Sequence, residues 1–126
     1  MLDLVYEEDK NKALTVWSRI FPDRPLKDGL HVLLRLEEVP IGIARVTLPS
    51  ADHVVLHELG IYEDLRGRGF GDFFMRSLMY MLTLCGNDFV VAWQHAYFDK
   101  FGFVAQDEGM RCKAAELVFP SACGGH

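Results

Sequence analysis

The spacing of apolar residues along the chain predicts two amphipathic helices. Apolar residues recur every three to four positions from about Asp9 to Ile20, and again from about Asp72 to Leu84, which is the pattern of a helix that buries one face. Two prolines follow the first segment and Gly86-Asn87 follows the second, and both are typical helix stops. The apolar face of the second helix is predicted to comprise Phe74, Leu78, Met81, Leu82 and Cys85.

The remaining apolar segments favour short strands. Glu38-Val39-Pro40 separates two of them and predicts a hairpin, and residues 49–52 predict a second turn. A short third helix is expected over Gln94–Lys100. The order β-α-β-β-β-α-β-α-β-β predicts an α/β (α+β) fold with a mixed, mainly antiparallel central sheet flanked by helices. The predicted strands are Leu2–Tyr6, His31–Glu37, Ile41–Thr47, His53–Ile61, Phe89–Ala92, one that opens at Phe103-Val104, and Arg111–Phe119.

Composition limits the classes of protein to consider. The chain has 126 residues and is 50% hydrophobic, so residues 1–126 are expected to form a single domain with a loose tail at 121–126. Lys and Arg number 13 against 18 Asp and Glu, a formal charge of −5, which lacks the basic field of a nucleic-acid-binding protein. No segment reaches the roughly 18 apolar residues of a membrane span.

The cysteines indicate the compartment. There are three, Cys85, Cys112 and Cys123, with no C-x-x-C pair and no secretion signal at the N-terminus. An odd number of thiols in such a chain is typical of a reducing compartment. We therefore expect a cytoplasmic protein with neither nucleic acid nor a membrane as partner.

A glycine-rich loop, Arg66–Gly71, carries the most specific chemical signal. It ends in Gly71-Asp72 rather than Gly-Lys-Ser/Thr, so it is not a Walker A loop, and Asp72 stands where the dinucleotide fingerprint needs its last glycine. The loop joins a strand to a helix, where glycines let backbone N–H groups approach an anion. With Arg66 and Arg68 it predicts a pyrophosphate cradle; the alternative is a tight turn with two solvated arginines.

Two segments resemble signatures of one family. Arg66–Gly71 matches the pattern R/Q-x-x-G-x-G/A, and Phe98–Phe103 is similar to Y-x-K/R-x-G-F. Both patterns belong to the GNAT superfamily of N-acetyltransferases, and they occur in this chain in the family's order, separated by a helix and a strand. The resemblance implies a GNAT-like fold and an enzyme that uses acetyl-CoA as co-substrate; no metal is expected.

The resemblance also implies a cofactor site in two parts. Leu59, Gly60 and Ile61 would pair their backbone with the pantetheine arm, in the manner of an added strand. Asp72 follows the motif directly, where a carboxylate suits a helix N-terminus but would lie near an anionic ligand, and we expect it to turn away and cap the helix. The residues implied in pyrophosphate binding are Arg66, Gly67, Arg68, Gly69, Phe70 and Gly71.

The candidates for the general base are His57 and Glu58, on the strand before the loop. An imidazole titrates near neutral pH and can take the proton of an attacking amine, whereas a carboxylate can act through water or bind a cationic amine. Neighbouring residues of a strand face opposite sides, so both line one cleft only if a bulge intervenes. The alternative is that Glu58 is solvated and His57 packs on the sheet.

The residue at the position of the family's general acid differs from the signature. The tyrosine of Y-x-K/R-x-G-F falls on Phe98, which cannot donate a proton, and Tyr97 lies one position earlier. Either Tyr97 protonates the leaving thiolate, or solvent does. Trp93 and Tyr97 are also candidate walls of an acceptor pocket. A zinc site on His53 and His57 is rejected, because four residues of a strand span about 13 Å.

The resemblance favours acetyl transfer to a primary amine of a small molecule or a peptide. The alternatives are an acyl-CoA-binding module or sensor with little or no activity, and an interaction domain that binds no CoA. The excess of acidic residues is compatible with a cationic acceptor. Exposed strand edges are compatible with a homodimer.

Overall fold

The computed structural model describes residues 1–50, 53–83, 88–93, 97, 103–106 and 109–112. Within these residues the chain forms seven strands and two α-helices. The strands are β1 (Leu2–Tyr6), β2 (Leu30–Leu36), β3 (Val39–Ser50), β4 (His53–Ile61), β5 (Asp88–Val91), β6 (Val104–Gln106) and β7 (Gly109–Cys112). The helices are α1 (Lys10–Ile20) and α2 (Phe70–Thr83), and a short 3₁₀ helix, Glu63–Leu65, follows β4.

The strands form one mixed sheet in the order β1-β2-β3-β4-β5-β7-β6. Every neighbouring pair is antiparallel except β4 and β5, which run parallel. A parallel pair needs a crossover connection, and α2 lies in the connection between β4 and β5. The prediction of a mixed, mainly antiparallel sheet flanked by helices is confirmed.

The two helices cover opposite faces of the sheet. Neighbouring residues of β2 show this, because Leu33 packs in the cluster around α1 while Val32 and Leu34 pack in the cluster around α2, and side chains alternate along a strand. Asp9 is the N-cap residue of helix α1, and its carboxylate accepts hydrogen bonds from N–H groups of the first turn. The buried helical residues are Ala13, Val16 and Trp17 in α1 and Phe74, Met75, Leu78, Met79 and Leu82 in α2.

The first hairpin turns earlier than predicted. Its two turn residues are Glu37 and Glu38, with φ of 51° and 70°, so Val39 and Pro40 belong to β3 rather than to the turn. Two-residue turns with positive φ at both positions usually contain Asn, Asp or Gly. A Glu-Glu pair therefore gives no signal for this turn in the sequence.

Helix α2 begins at Phe70 rather than at Asp72. The N–H group of Phe73 donates to the carbonyl of Gly69 at 3.1 Å, so the first helical turn starts inside the glycine loop. The buried face is also rotated from the predicted one, since it includes Met75 and Met79. Methionine is flexible enough to fill irregular gaps in a core, which makes its burial hard to predict from spacing.

Several predictions lie outside the described residues. They concern the third helix apart from Tyr97, the second turn at 51–52, and residues 113–119 of the last predicted strand. The same holds for the signature residues 98–102, for Cys85 and Cys123, and for the tail at 121–126.

The end of α1 lies directly on β4. A Cβ atom added to Gly60 would lie 2.5 Å from Ile20 Cγ2 and 3.0 Å from Phe21 Cζ, so glycine is needed for this approach. The guanidinium carbon of Arg19 lies 3.8 Å from the centroid of the Tyr62 ring, just beyond β4. These contacts place the segment that follows α1 beside the C-terminal end of β4.

Candidate functional site

Strands β4 and β5 part at the middle of β4. They pair from His53 opposite Asp88 to Leu56 opposite Val91, and the Ala92 N–H donates to the Leu56 carbonyl at 2.9 Å. Beyond this bond, no described strand pairs with residues 57–61 on the β5 side. The result is a gap in the sheet, the β4–β5 gap, between residues 57–61 and the segment that follows β5.

Backbone groups of β4 face this gap. The Tyr62 N–H donates to the Ile41 carbonyl at 2.9 Å, on the β3 side. Because successive residues of a strand direct their backbone N–H and C=O groups to alternate sides, those of Leu59 and Ile61 are directed into the gap. The Nε of Arg66 donates to the Ile61 carbonyl at 3.1 Å. An extended ligand can therefore add to this edge as a further strand.

A β-bulge at His57 separates the part of β4 that pairs with β5 from the part that does not. Glu58 is opposite Arg45 and Leu56 is opposite Val46, so His57 is one extra residue in β4. Even-numbered residues face the α2 core before the bulge and odd-numbered residues face it afterwards. His57 and Glu58 consequently lie on the same face, towards α1, which regular alternation would exclude.

A cavity of about 310 Å³ opens on the α2 face of the gap. Its walls come from β4, from the first turns of α2 and from the chain after β5. Gly71 belongs both to this cavity and to the glycine loop, so the loop borders it. The residues that line this α2-side cavity are Leu56, Leu59, Gly71, Asp72, Met75, Trp93 and Tyr97.

The glycine loop has a backbone that requires glycine. Gly67 and Gly69 both have φ of +82°, which residues with a side chain rarely adopt. Open space surrounds the positions where Cβ atoms would stand on Gly67, Gly69 and Gly71. Arg68 is exposed, and none of the described residues pairs with its guanidinium. The loop thus offers accessible backbone at the N-terminus of α2 together with a cation.

A second cavity, of about 440 Å³, opens on the α1 face of the gap. Leu59 and Trp93 line both cavities. The two cavities therefore meet at the gap, one on each face of the sheet. The residues that line this α1-side cavity are Phe21, Arg24, His57, Glu58, Leu59, Ala92 and Trp93.

Glu58 forms an ion pair instead of facing solvent. Arg45 donates from Nε to Glu58 Oε1 at 2.6 Å and from Nη2 to Oε2 at 3.4 Å, and the two side chains are only 9% and 12% exposed. The Nη1 of Arg45 also donates to the Asp28 carbonyl at 2.9 Å. The alternative in which Glu58 is solvated is therefore wrong.

His57 is oriented by Thr47. Its Nε2 lies 2.8 Å from Thr47 Oγ1 across the sheet. Burial, and next the charge of Arg45, lower the pKa of His57 below its ordinary value of 6.5. The imidazole is therefore neutral at pH 7 and able to accept a proton.

Tyr97 lies in the α2-side cavity and donates from its hydroxyl to Asp72 Oδ1 at 2.6 Å. Burial, and then this hydrogen bond, raise the pKa of Tyr97 above its ordinary range. The expectation that Asp72 turns away from the site is wrong, because Asp72 lines the cavity and its carboxylate accepts from Tyr97, which lines the same cavity. The Tyr97 hydroxyl thus lies within hydrogen-bond distance of a carboxylate in the first turn of α2.

Three of the predicted cofactor residues place no side chain in either cavity. Gly60 has no room for a side chain against α1, Ile61 is 6% exposed, and Phe70 packs against the core. Of the implied strand residues, Leu59 alone lines the cavities.

In the part of the chain that the structure describes, no group of three or more His, Cys, Asp or Glu side chains is placed to hold a metal ion. His53 and His57 have separate partners, since His53 Nδ1 lies 2.9 Å from Ser50 Oγ. No described helix has the length and apolar content to cross a membrane.

Comparison with solved structures identifies the fold. A GNAT family acetyltransferase from Brucella melitensis in complex with acetyl-CoA matches with a TM-score of 0.71 at 14% identity, over 90% of this chain and 88% of that chain. An acyl-CoA N-acyltransferase from Pseudomonas aeruginosa matches with a TM-score of 0.70 at 18% identity, over 88% and 99%. The ribosomal-protein-S18-alanine N-acetyltransferase from Escherichia coli matches with a TM-score of 0.67 at 15% identity, over 88% and 89%. This chain has the GNAT fold.

The GNAT fold predicted from the two sequence signatures is thus confirmed. The sequence itself matches no protein-family model and no curated protein. At these identities the likeness is one of fold, and a fold does not by itself define substrates or activity.

Three residues of the site had no role in the sequence-based prediction. Arg45 has a detectable signal, because a charged residue inside the apolar segment Ile41–Val46 indicates a buried ion pair. Arg24 lies between Pro22 and Pro25, after the predicted end of the first helix, and no sequence pattern there predicts where its side chain is directed. Thr47 gives no signal, since its contact with the bulge depends on a register shift between β3 and β4.

Replacement of Glu58 tests whether the ion pair is structural. Glu58→Gln should lower the free energy of unfolding by roughly 2–3 kcal/mol, because it leaves the charge of Arg45 buried without its counter-charge. Urea denaturation measures the change.

Asp3→Asn is the matched control, because it removes the carboxylate from the more exposed Arg35–Asp3 pair at the sheet edge. Its effect on stability should be clearly smaller. Equal shifts of the denaturation midpoint for the two variants would show that the Arg45–Glu58 pair has no special structural weight.

Proposed function

We propose that this protein is an N-acetyltransferase that moves an acetyl group from acetyl-CoA to a primary amine. The observation that carries the proposal is the pair of cavities that meet at Leu59 and Trp93 in the β4–β5 gap. Direct transfer requires two ligands to be held in contact. A ligand bound in the α2-side cavity and a second ligand bound in the α1-side cavity would therefore meet at this point.

Acetyl-CoA fits the α2 face of the gap. The amide groups of its pantetheine arm can pair with Leu59 and Ile61 on the edge of β4. Its pyrophosphate can bind the N–H groups at the start of α2 and the guanidinium of Arg68. Bound there, it supplies a thioester whose carbonyl carbon is open to an amine from the α1-side cavity.

His57 is the proposed general base. As the amine nitrogen bonds to the acetyl carbon and the carbon–sulfur bond breaks, one N–H proton must leave the nitrogen. If Thr47 Oγ1 accepts from Nε2–H, Nδ1 of His57 is the nitrogen that takes this proton. Glu58 is not assigned this role, because both of its oxygens accept from Arg45.

Solvent is the proposed proton source for the leaving thiolate. A thiol of ordinary pKa, about 8.5, leaves readily as the thiolate near neutral pH. Tyr97 is a poor acid for this step, since burial raises its pKa and its hydroxyl donates to Asp72. In this mechanism Tyr97 and Asp72 form a wall of the cofactor cavity.

A second candidate function is an acyl-CoA-binding module with little or no transfer. The engagement of Tyr97 by Asp72 favours it, because the tyrosine proton is then directed away from a leaving group. The two functions share the cofactor cavity and differ in whether the α1-side cavity holds an acceptor.

Calorimetric titration with acetyl-CoA, followed by thiol release over a panel of primary amines, tests the proposal. We expect saturable binding, about tenfold weaker for Arg68→Gln because a charge-assisted contact to phosphate is lost, and amine-dependent release of CoA. Lys12→Gln on exposed α1 is the control for net charge. Binding without release for any amine would favour the binding module, and no binding would contradict both functions.

The pH dependence of the rate tests the base. At saturating amine, the rate should fall on the acidic side with a midpoint below 6.5, because the pKa of His57 is lowered and protonation removes the base. His57→Gln should remove this limb and lower the rate by about 10²-fold or more.

His53→Gln is the matched control, because His53 lies on the same strand and bonds to Ser50 outside the gap. It should keep both the rate and the acidic limb. An acidic limb that survives in His57→Gln would rule out His57 as the base.

A further inference from the structure

The charges around the α1-side cavity do not match a polycationic acceptor. Among the described residues that line the cavity, Glu58 is the one with an acidic side chain, and Arg45 donates two hydrogen bonds to its carboxylate. Arg24 lines the cavity and is exposed, and no described residue pairs with its guanidinium. The cavity is therefore locally positive in a chain whose formal charge is −5.

Apart from His57, the other described residues of the wall are apolar. Phe21, Leu59 and Trp93 line the cavity together with Ala92. A volume of about 440 Å³ is within the range of sites for small molecules. This combination suits a ligand with an apolar body and one anionic group.

We propose that the acceptor is a small primary amine that carries a carboxylate, such as a free amino acid with an apolar side chain. Arg24 binds the carboxylate through its planar guanidinium, which matches the geometry of two carboxylate oxygens. The apolar body packs between Phe21 and Trp93, and the amine faces His57 at the gap. This assignment deepens the proposed function and rests on it.

The position of Arg24 is defined by the fold rather than by its own side chain. The Nε1 of Trp17, a buried residue of α1, donates to the Arg24 carbonyl at 2.8 Å. This bond involves the backbone of Arg24 and survives replacement of its side chain. Arg24→Gln is therefore expected to fold normally and to remove the cation alone.

Matched ligands isolate the carboxylate. L-Leucine, L-methionine and L-phenylalanine are compared with their carboxamides, which keep the amine and the apolar body but lack the negative charge. Calorimetry on the CoA-loaded protein measures affinity without turnover, and thiol release measures kcat/KM. We expect each amino acid to exceed its amide by about tenfold in both.

The variants then locate the contact. Arg24→Gln should reduce the preference for the carboxylate to within about threefold, because the affinity for the amino acids falls towards that for their amides. Lys12→Gln removes one positive charge from exposed α1 away from the cavity and should keep the full preference.

The outcomes separate this inference from the proposed function. Absence of CoA binding in the first titration contradicts the proposed function before any amine is added. Transfer to amides, polyamines or peptides at rates equal to those of the amino acids overturns the inference and leaves the acetyltransferase intact. A preference that persists in Arg24→Gln, or no binding of either member of any pair, also overturns it.

Discussion

One constraint underlies the rest of the structure: a backbone that leaves a sheet ladder needs other partners for its N–H and C=O groups. Strand β4 leaves β5 after Leu56, which turns polar groups of Leu59 and Ile61 towards a gap. The side chain of Arg66 takes the Ile61 carbonyl, and an extended ligand with amide groups can pair with the remaining edge. We therefore propose the gap as a binding site, because an unpaired strand edge needs hydrogen-bond partners just as a paired one does.

The bulge at His57 determines which ionisable side chains lie beside the gap. It turns two neighbouring polar residues to one face, and Arg45 then distinguishes them by pairing with Glu58. The imidazole remains neutral, since burial and the same arginine lower its pKa. Because both oxygens of Glu58 accept from Arg45, Glu58 is not available as the base. The same pairing neutralises Glu58 and leaves Arg24 as the uncompensated charge among the described residues of the α1-side cavity. The proposed base and the proposed acceptor class follow from a single arrangement.

The sequence predicted the fold through spacing and two local signatures, and it failed where a long-range contact decides the outcome. Apolar periodicity located both helices, and the glycine pattern at 66–71 located the start of α2 within two residues. The turn at Glu37 gave no compositional signal, because a Glu-Glu pair is not typical of turns with positive φ at both positions. The partners of Glu58 and Asp72 depend on register and helix rotation, which residue types alone do not encode.

Amide hydrogen exchange along β4, with and without CoA, tests most directly whether the β4–β5 gap receives an extended ligand. The N–H groups of Leu59 and Ile61 face the gap, whereas that of Gly60 is directed towards β3 and serves as an internal control. Binding should slow exchange at Leu59 and Ile61 by about tenfold or more relative to Gly60, because local opening of a newly formed ladder is then required. Unchanged relative exchange at these two amides, in protein shown to bind CoA, would contradict the claim that the ligand adds to β4 as a strand.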